Sequence, residues 1–172
     1  MYHHISLLLC IPLSLLLLAD CKHKEVEVPE PKIYFTGILE TSATGEYLGG
    51  WDTTDWRLDD VWTAQETALF PNTTVPLCAL KDSLEVFAAA PNPTQDRTFI
   101  GWRNIAGTIW QFRLVDEDFN LVWTFNNDNF LTGFNAISLE TTDFPKDTLR
   151  LYYQAENGGC RWQGHGDLVI KP

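Results

Sequence analysis

The sequence predicts an all-β protein: an antiparallel β-sandwich, preceded by a Trp-rich N-terminal extension that carries one short helix. Three observations predict it. From Leu84 onward, short segments alternate apolar and polar residues with period two. In "TIWQFRLVD" (108–116), Trp110, Phe112 and Leu114 fall on one side and Gln111 and Arg113 on the other, the pattern of a sheet with one buried face. The breaks between these segments carry turn chemistry, Asn157-Gly158 most clearly, because both central residues of a type I′ turn need positive φ. Seven Trp against a single Met imply a rigid aromatic interior, and the 172 residues allow one domain with an appendage.

The first element, residues 1–20, reads as a signal peptide. Ile5 to Ala19 is apolar over about 15 residues, shorter than the roughly 20 that a spanning helix needs. It ends in Leu18-Ala19-Asp20-Cys21, which resembles a bacterial lipobox, with Asp20 where a small residue is usual. The resemblance implies cleavage before Cys21, lipidation of Cys21 and attachment to a membrane by acyl chains, each buried CH₂ contributing about 0.8 kcal/mol. An uncleaved anchor or an ordinary secretory signal is the alternative. Residues 21–32, with mixed charges and two prolines between Lys22 and Lys32, read as the tether.

Residues 33–82 form the extension. "KIYFTGILE" (32–40) is a strand candidate and 41–50 a turn-rich break. A short helix is expected over roughly 59–69. Asp59 or Asp60 would cap it, Thr63 and Glu66 have the capping-box form, and Pro71 stops it. Val61, Ala64, Ala68 and Leu69 would share a face. Trp51, Asp52, Asp55, Trp56 and Trp62 are the candidate ligand-binding residues, since rings stack on sugar C–H faces and carboxylates accept hydroxyl protons. Two other readings stay open. The rings can pack the extension against the sandwich while the acids face water, or the carboxylates can hold Ca²⁺, although no EF-hand loop spacing occurs.

With Cys10 removed in the signal and Cys21 lipidated, Cys78 and Cys160 remain. In an exported chain they suggest one disulfide, closing a loop of roughly 80 residues and contributing about 2–4 kcal/mol. Two separate buried thiols are the alternative. No ligand spacing near them suggests zinc.

Residues 83–172 hold eight strand candidates: 83–89, 97–103, 108–116, 121–126, 134–140, 148–156, 160–163 and 167–171. Gly164-His165-Gly166-Asp167 reads as the turn between the last two, which makes His165 a solvated turn residue. "APNPTQDRTFI" (90–100), "FRLVDEDFNLVWTF" (112–125), "FPKDTLRLYYQAENGG" (144–159) and the terminal "GDLVIKP" occur in an order that resembles the C-terminal sorting domain of type IX secretion cargo. This resemblance implies an Ig-like sandwich of about seven strands. Together with the lipobox it implies the envelope of a Gram-negative bacterium, at the outer membrane or cell surface.

A formal charge of −11 repels phosphates, so nucleic acid is not an expected partner. No Walker loop, dinucleotide fingerprint, metal pattern or supported Ser-His-Asp set occurs, and no cofactor is expected. The sequence therefore points to a non-catalytic, lipid-anchored structural or interaction module with a protein or glycan partner. A carbohydrate-binding accessory protein using Trp51, Trp56 and Trp62 is the second reading, and secreted type IX cargo the third.

Overall fold

The computed structural model describes residues 31–50, 52–79, 84–127 and 131–172. The signal, Cys21, most of the tether and Trp51 lie outside them. The described chain is mostly β. Its strands are β1 (Glu40–Thr41), β2 (Tyr47–Gly49), β3 (Arg57–Leu58), β4 (Glu85–Ala90), β5 (Arg97–Asn104), β6 (Ile109–Val115), β7 (Leu121–Asn127), β8 (Gly133–Glu140), β9 (Thr148–Asn157) and β10 (Cys160–Val169), with one helix, α1 (Ala64–Ala68). They form a five-stranded sheet in the order β3-β10-β9-β6-β7, a three-stranded sheet β4-β5-β8, and the small hairpin β1-β2, all antiparallel.

The two larger sheets pack face to face, sandwich-like. Period-two alternation sends Trp110, Phe112 and Leu114 of β6 and Leu149, Leu151 and Tyr153 of β9 into the core, where they meet Ile100 and Trp102 of β5 and Leu139 of β8. The Trp102 ring lies 5.1 Å from Trp110 and 5.2 Å from Phe112, joining the sheets by tilted aromatic contacts.

The outer face of β9 is buried too. Tyr152 and Val115 are covered by Ile33 and Phe70, with Trp62 and Phe119 packed around them. The expected strand over 32–40 is therefore confined to Glu40 and Thr41. Residues 33–35 lie across a sheet face instead of pairing with an edge, and the Ile33 amide donates to Glu117 O at 2.7 Å. The expected break at 41–50 contains the β1–β2 hairpin, turned by Ser42, whose Oγ accepts from the amides of Thr44 and Glu46.

The helix is shorter than its sequence pattern. Thr63 is the cap: its hydroxyl accepts from Glu66 N, and Glu66 Oε2 accepts from Thr63 N. Asp59 is occupied elsewhere and does not cap it. No residue of α1 is buried and Val61 is exposed, so the expected apolar face does not form. Leu69 and Phe70, just past the helix, supply the packing.

The last two strand candidates merge into β10. Gly164-His165-Gly166 continues the ladder, with His165 opposite Tyr152, so the predicted turn is corrected to mid-strand. The glycines are there for room. A Cβ on Gly164 would lie 2.2 Å from Arg57 O, and one on Gly166 would lie 2.3 Å from the Trp56 ring. The disulfide joins Cys78 to Cys160 at the start of β10.

Candidate functional site

The outer edge of β10 would present a row of unpaired peptide groups, and the extension covers it. Cys78 N donates to Arg161 O and Arg161 N to Pro76 O; Asp59 N donates to Gln163 O and Trp56 N to His165 O. Beyond that, two buried side chains take over. Asp55 accepts from the amides of both Leu39 (3.2 Å) and Asp167 (2.5 Å). Asn92 donates to the carbonyls of the same two residues, at 3.1 and 2.9 Å, and accepts from Val169 N at 2.9 Å. Asp55 and Asn92 thus form a buckle: one takes the N–H groups and the other the C=O groups of two strangers in sequence.

Burial pushes the Asp55 carboxyl up to about 7, with the Asp167 charge adding to the effect and the two amide donors opposing it. Asp167 itself is buried against Arg150, Oδ1 to Nε at 2.6 Å and Oδ2 to Nη2 at 2.8 Å. His165 Nδ1 lies 2.8 Å from Asp59 Oδ2. Burial pulls the imidazole down, but the Asp59 hydrogen bond and charge outweigh it and the net direction is up. The neighbouring Tyr152 and Tyr153 hydroxyls donate to Glu66 Oε1 and Arg57 O.

The sequence candidates separate in space. Asp52 stays near the surface, binding Thr54 and Thr36, and the Thr54 hydroxyl bond holds it below the usual carboxylate range. Trp56 is 6% exposed and packs in the core over Gly166. Trp62 donates its Nε1–H to Asp59 Oδ2 and stacks on Phe70 at 5.1 Å. The two described rings therefore pack against the protein, Trp56 in the core and Trp62 half-buried beside Phe70 and Tyr152. Asp52, Asp55 and Asp59 each hold protein partners, and no acidic cluster able to hold a metal ion occurs among the described residues.

The concave surface lies elsewhere, on the outer face of β4-β5-β8. Arg97, Phe99, Gly101 and Arg103 of β5 point outward, opposite to Ile100 and Trp102. Gly101 lies between Phe87 of β4 and Ala136 of β8. A Cβ on Gly101 would be 3.1 Å from the Phe134 ring, so the glycine lets that ring lie down on the sheet. The result is a groove of about 460 Å³ lined by Phe87, Phe99 and Phe134 over an alanine floor. Phe99 is 46% exposed, Phe134 65% and Tyr47 66%. Ion pairs bound the apolar stretch at both ends, Arg97–Glu140 at 2.5 Å and Arg103–Glu85 at 3.4 Å.

The β1–β2 hairpin makes one wall of the groove through Ala43, Thr44, Gly45 and Tyr47. Behind Tyr47, a polar pocket of about 150 Å³ reaches Asp52, Asp55 and Trp56, sharing Tyr47 and Ala88 with the groove. Sequence reasoning missed this face. The signal was available in β5: a glycine flanked by an outward aromatic residue, on the side of the strand that faces away from Trp102. Comparison with protein-family models, with curated proteins and with solved structures returned no match.

Proposed function

We propose that this chain is a lipid-anchored envelope protein, attached at Cys21, whose Ig-like sandwich works by contact and without turnover. Seven antiparallel strands over residues 85–169 support the Ig-like reading, and the lipobox-like Leu18-Ala19-Asp20-Cys21 supports the anchor. Residues 33–79 act as a cover for the sandwich, sealing one edge and one face of the large sheet. The single observation that carries the interaction reading is the exposed aromatic groove on β4-β5-β8. Contiguous exposed apolar surface on a soluble domain marks an interaction site.

The partner is a protein segment with apolar side chains. The groove offers aromatic rings and alanines, and its bounding charges already satisfy one another. A glycan would require placed hydrogen-bonding side chains along the walls. The test is a photo-reactive phenylalanine analogue placed at Phe134 in the anchored protein, with Val61, more exposed and on another surface, as the control site. A discrete protein adduct at position 134 only, on a protein that incorporates labelled palmitate and loses the label in Cys21→Ser, supports the proposal. Identical labelling at both sites, adducts with glycan alone, or no palmitate on the unaltered chain refutes it.

A further inference from the structure

We infer that β8 is a strand-docking edge: the partner of the aromatic groove lies down as an extended segment beside β8 and becomes the fourth strand of the β4-β5-β8 sheet. This rests on the reading of that face as the interaction site and adds how the partner is held.

The phase of the ladder fixes which peptide groups β8 offers. Thr141 N donates to Asp96 O at 2.8 Å, and these two residues stand opposite each other, one step beyond the Arg97–Glu140 pair. A bond between directly opposite residues marks a hydrogen-bonded pair, and such pairs alternate with non-bonded ones along an antiparallel ladder. Leu139, Ile137, Asn135 and Gly133 therefore direct their N–H and C=O groups at β5. Phe134, Ala136, Ser138 and Glu140 turn theirs the other way, to the side on which β8 ends the sheet. Those four residues also face outward beside Arg103, Gly101, Phe99 and Arg97, and Phe134 is a ring of the groove. Backbone edge and aromatic face are thus carried by one row of residues. A segment paired to the edge places every second side chain on the groove's face, next to Phe134.

The other edges are sealed or irregular. Residues 56–59 and 76–78 seal β10. The β1–β2 hairpin lies beside β4, where the Thr41 hydroxyl donates to Ala89 O, and the β4 ladder shifts register between Phe87 and Ala90. On β7 the ladder shifts between Leu114 and Val115, and the Arg113 guanidinium donates to Phe125 O at 3.4 Å. Of these three unsealed edges, β8 alone pairs with its neighbour in one unbroken register, over the 8 residues Gly133–Glu140. Between Gly133 and Leu139 it carries no charge and no proline, the devices by which edges ordinarily resist strand addition. Among the described residues no other strand pairs with its outer side. The occupant is a segment of another protein. Two copies of a chain with formal charge −11 repel each other, so the fitting segment is extended, apolar on its groove side and basic at its ends.

The probe is an eight-residue peptide that alternates valine and threonine between terminal lysines, titrated into the isotope-labelled full chain and followed by amide NMR. In the free chain, the amides of Phe134, Ala136 and Ser138 are expected to exchange at least about tenfold faster than those of Ile137 and Leu139. Near saturation with peptide, exchange at those three amides should slow by about tenfold. The same peptide N-methylated on every valine and threonine keeps its side chains but loses its donors, and should bind at least about tenfold more weakly. Ser138→Pro removes one edge N–H and no β5 bond, and should weaken binding likewise; if it does not fold, the methylated peptide carries the test on the unaltered chain. Edge amides that do not respond to about millimolar peptide overturn the inference. So does a methylated peptide that binds equally well, which leaves a groove that grips side chains alone. Edge amides already protected in the free chain overturn it too. The edge is then taken, by a second copy if the chain sediments as a dimer and by its own residues if it sediments as a monomer. Strand pairing without a cellular adduct at Phe134 refutes the proposed function and leaves the edge standing, so the two readings fail separately.

Discussion

Gly166→Ala tests whether the run "GHG" is a cradle for Trp56. The added methyl would lie 2.3, 2.5 and 2.6 Å from Trp56 Cδ2, Cε2 and Cε3, all far inside van der Waals contact. The ring has little freedom to retreat. Trp56 has φ +59, its amide donates to His165 O at 2.9 Å, and the residue before it is held in the buckle. Two responses bracket the cost. If neighbours shift and the ring stays, overpacking costs about 1–3 kcal/mol. If the ring is expelled, roughly 150–250 Å² of aromatic surface returns to water at about 25 cal/mol per Å², or about 4–6 kcal/mol. Against a typical domain stability of about 5–15 kcal/mol, an expected loss within that bracket of about 1–6 kcal/mol is large. Guanidinium unfolding followed by tryptophan fluorescence measures it, and an unchanged slope would show that the native state, not the unfolded one, has changed. Gly158→Ala is the control. That residue has φ +60 in an open turn, and its added methyl would meet no atom within 4 Å, so only the left-handed backbone penalty of about 1–2 kcal/mol applies. A Gly166→Ala cost no larger than that of Gly158→Ala would refute the cradle.

Three further outcomes follow from the same edge of β10. Asn92→Ala leaves Leu39 O, Asp167 O and Val169 N without their partner, so a loss of about 3 kcal/mol or more is expected in thermal unfolding, with faster exchange at Val169. Cys78→Ser opens a cross-link between residues 82 apart, and should cost about 2–5 kcal/mol, reproduced in the unaltered chain by reductant. Global stability should fall as pH rises from about 4 to 7. Asp55 holds its proton more tightly when folded, so the stability it contributes is present below the unfolded carboxyl value and is lost as pH climbs to about 7, about 4 kcal/mol at most. His165, also raised, loses its contribution in the same direction as pH passes its folded value. Urea midpoints that rise over this range would contradict both assignments.

Much of the strand content was legible because period two is a local signal. "TIWQFRLVD" and "TLRLYYQAE" gave β6 and β9 nearly to the residue, and Asn157-Gly158 marked the β9–β10 turn. The Cys78–Cys160 pairing matches the one disulfide that an expectation of export and the count of remaining cysteines suggested. What failed depends on partners distant in sequence. Gly164-His165-Gly166 looks like a turn until Arg57 O and the Trp56 ring, more than 100 residues earlier, claim the space above the glycines. Asp55 looked like one acid among five, because its meaning comes from amides at 39 and 167. Whether Trp56 and Trp62 pack or present a ring face stayed open, because a ring's burial is decided by what covers it. The groove was missed because exposed Phe99 and Phe134 belong to strands whose opposite faces build the core.

These failures share one cause, which also explains why one sheet face stays uncovered among the described residues. A sandwich has two outer faces and four edges, and residues 33–79 are too few to cover all of them. The segment spends its apolar residues Ile33, Trp62 and Phe70 on the outer face of the large sheet, around Tyr152, and its peptide groups on the edge of β10. Among the described residues, the small sheet receives the β1–β2 hairpin at its rim. Its outer face therefore keeps Phe87, Phe99 and Phe134 in reach of solvent, and the hairpin at that rim hangs from the same Leu39–Asp167 buckle that closes the edge. The cover and the groove wall are thus one continuous piece of chain, so loosening the buckle acts on both. A change at Asp55 or Asn92 reaches the groove through Leu39 without touching any residue of its aromatic lining.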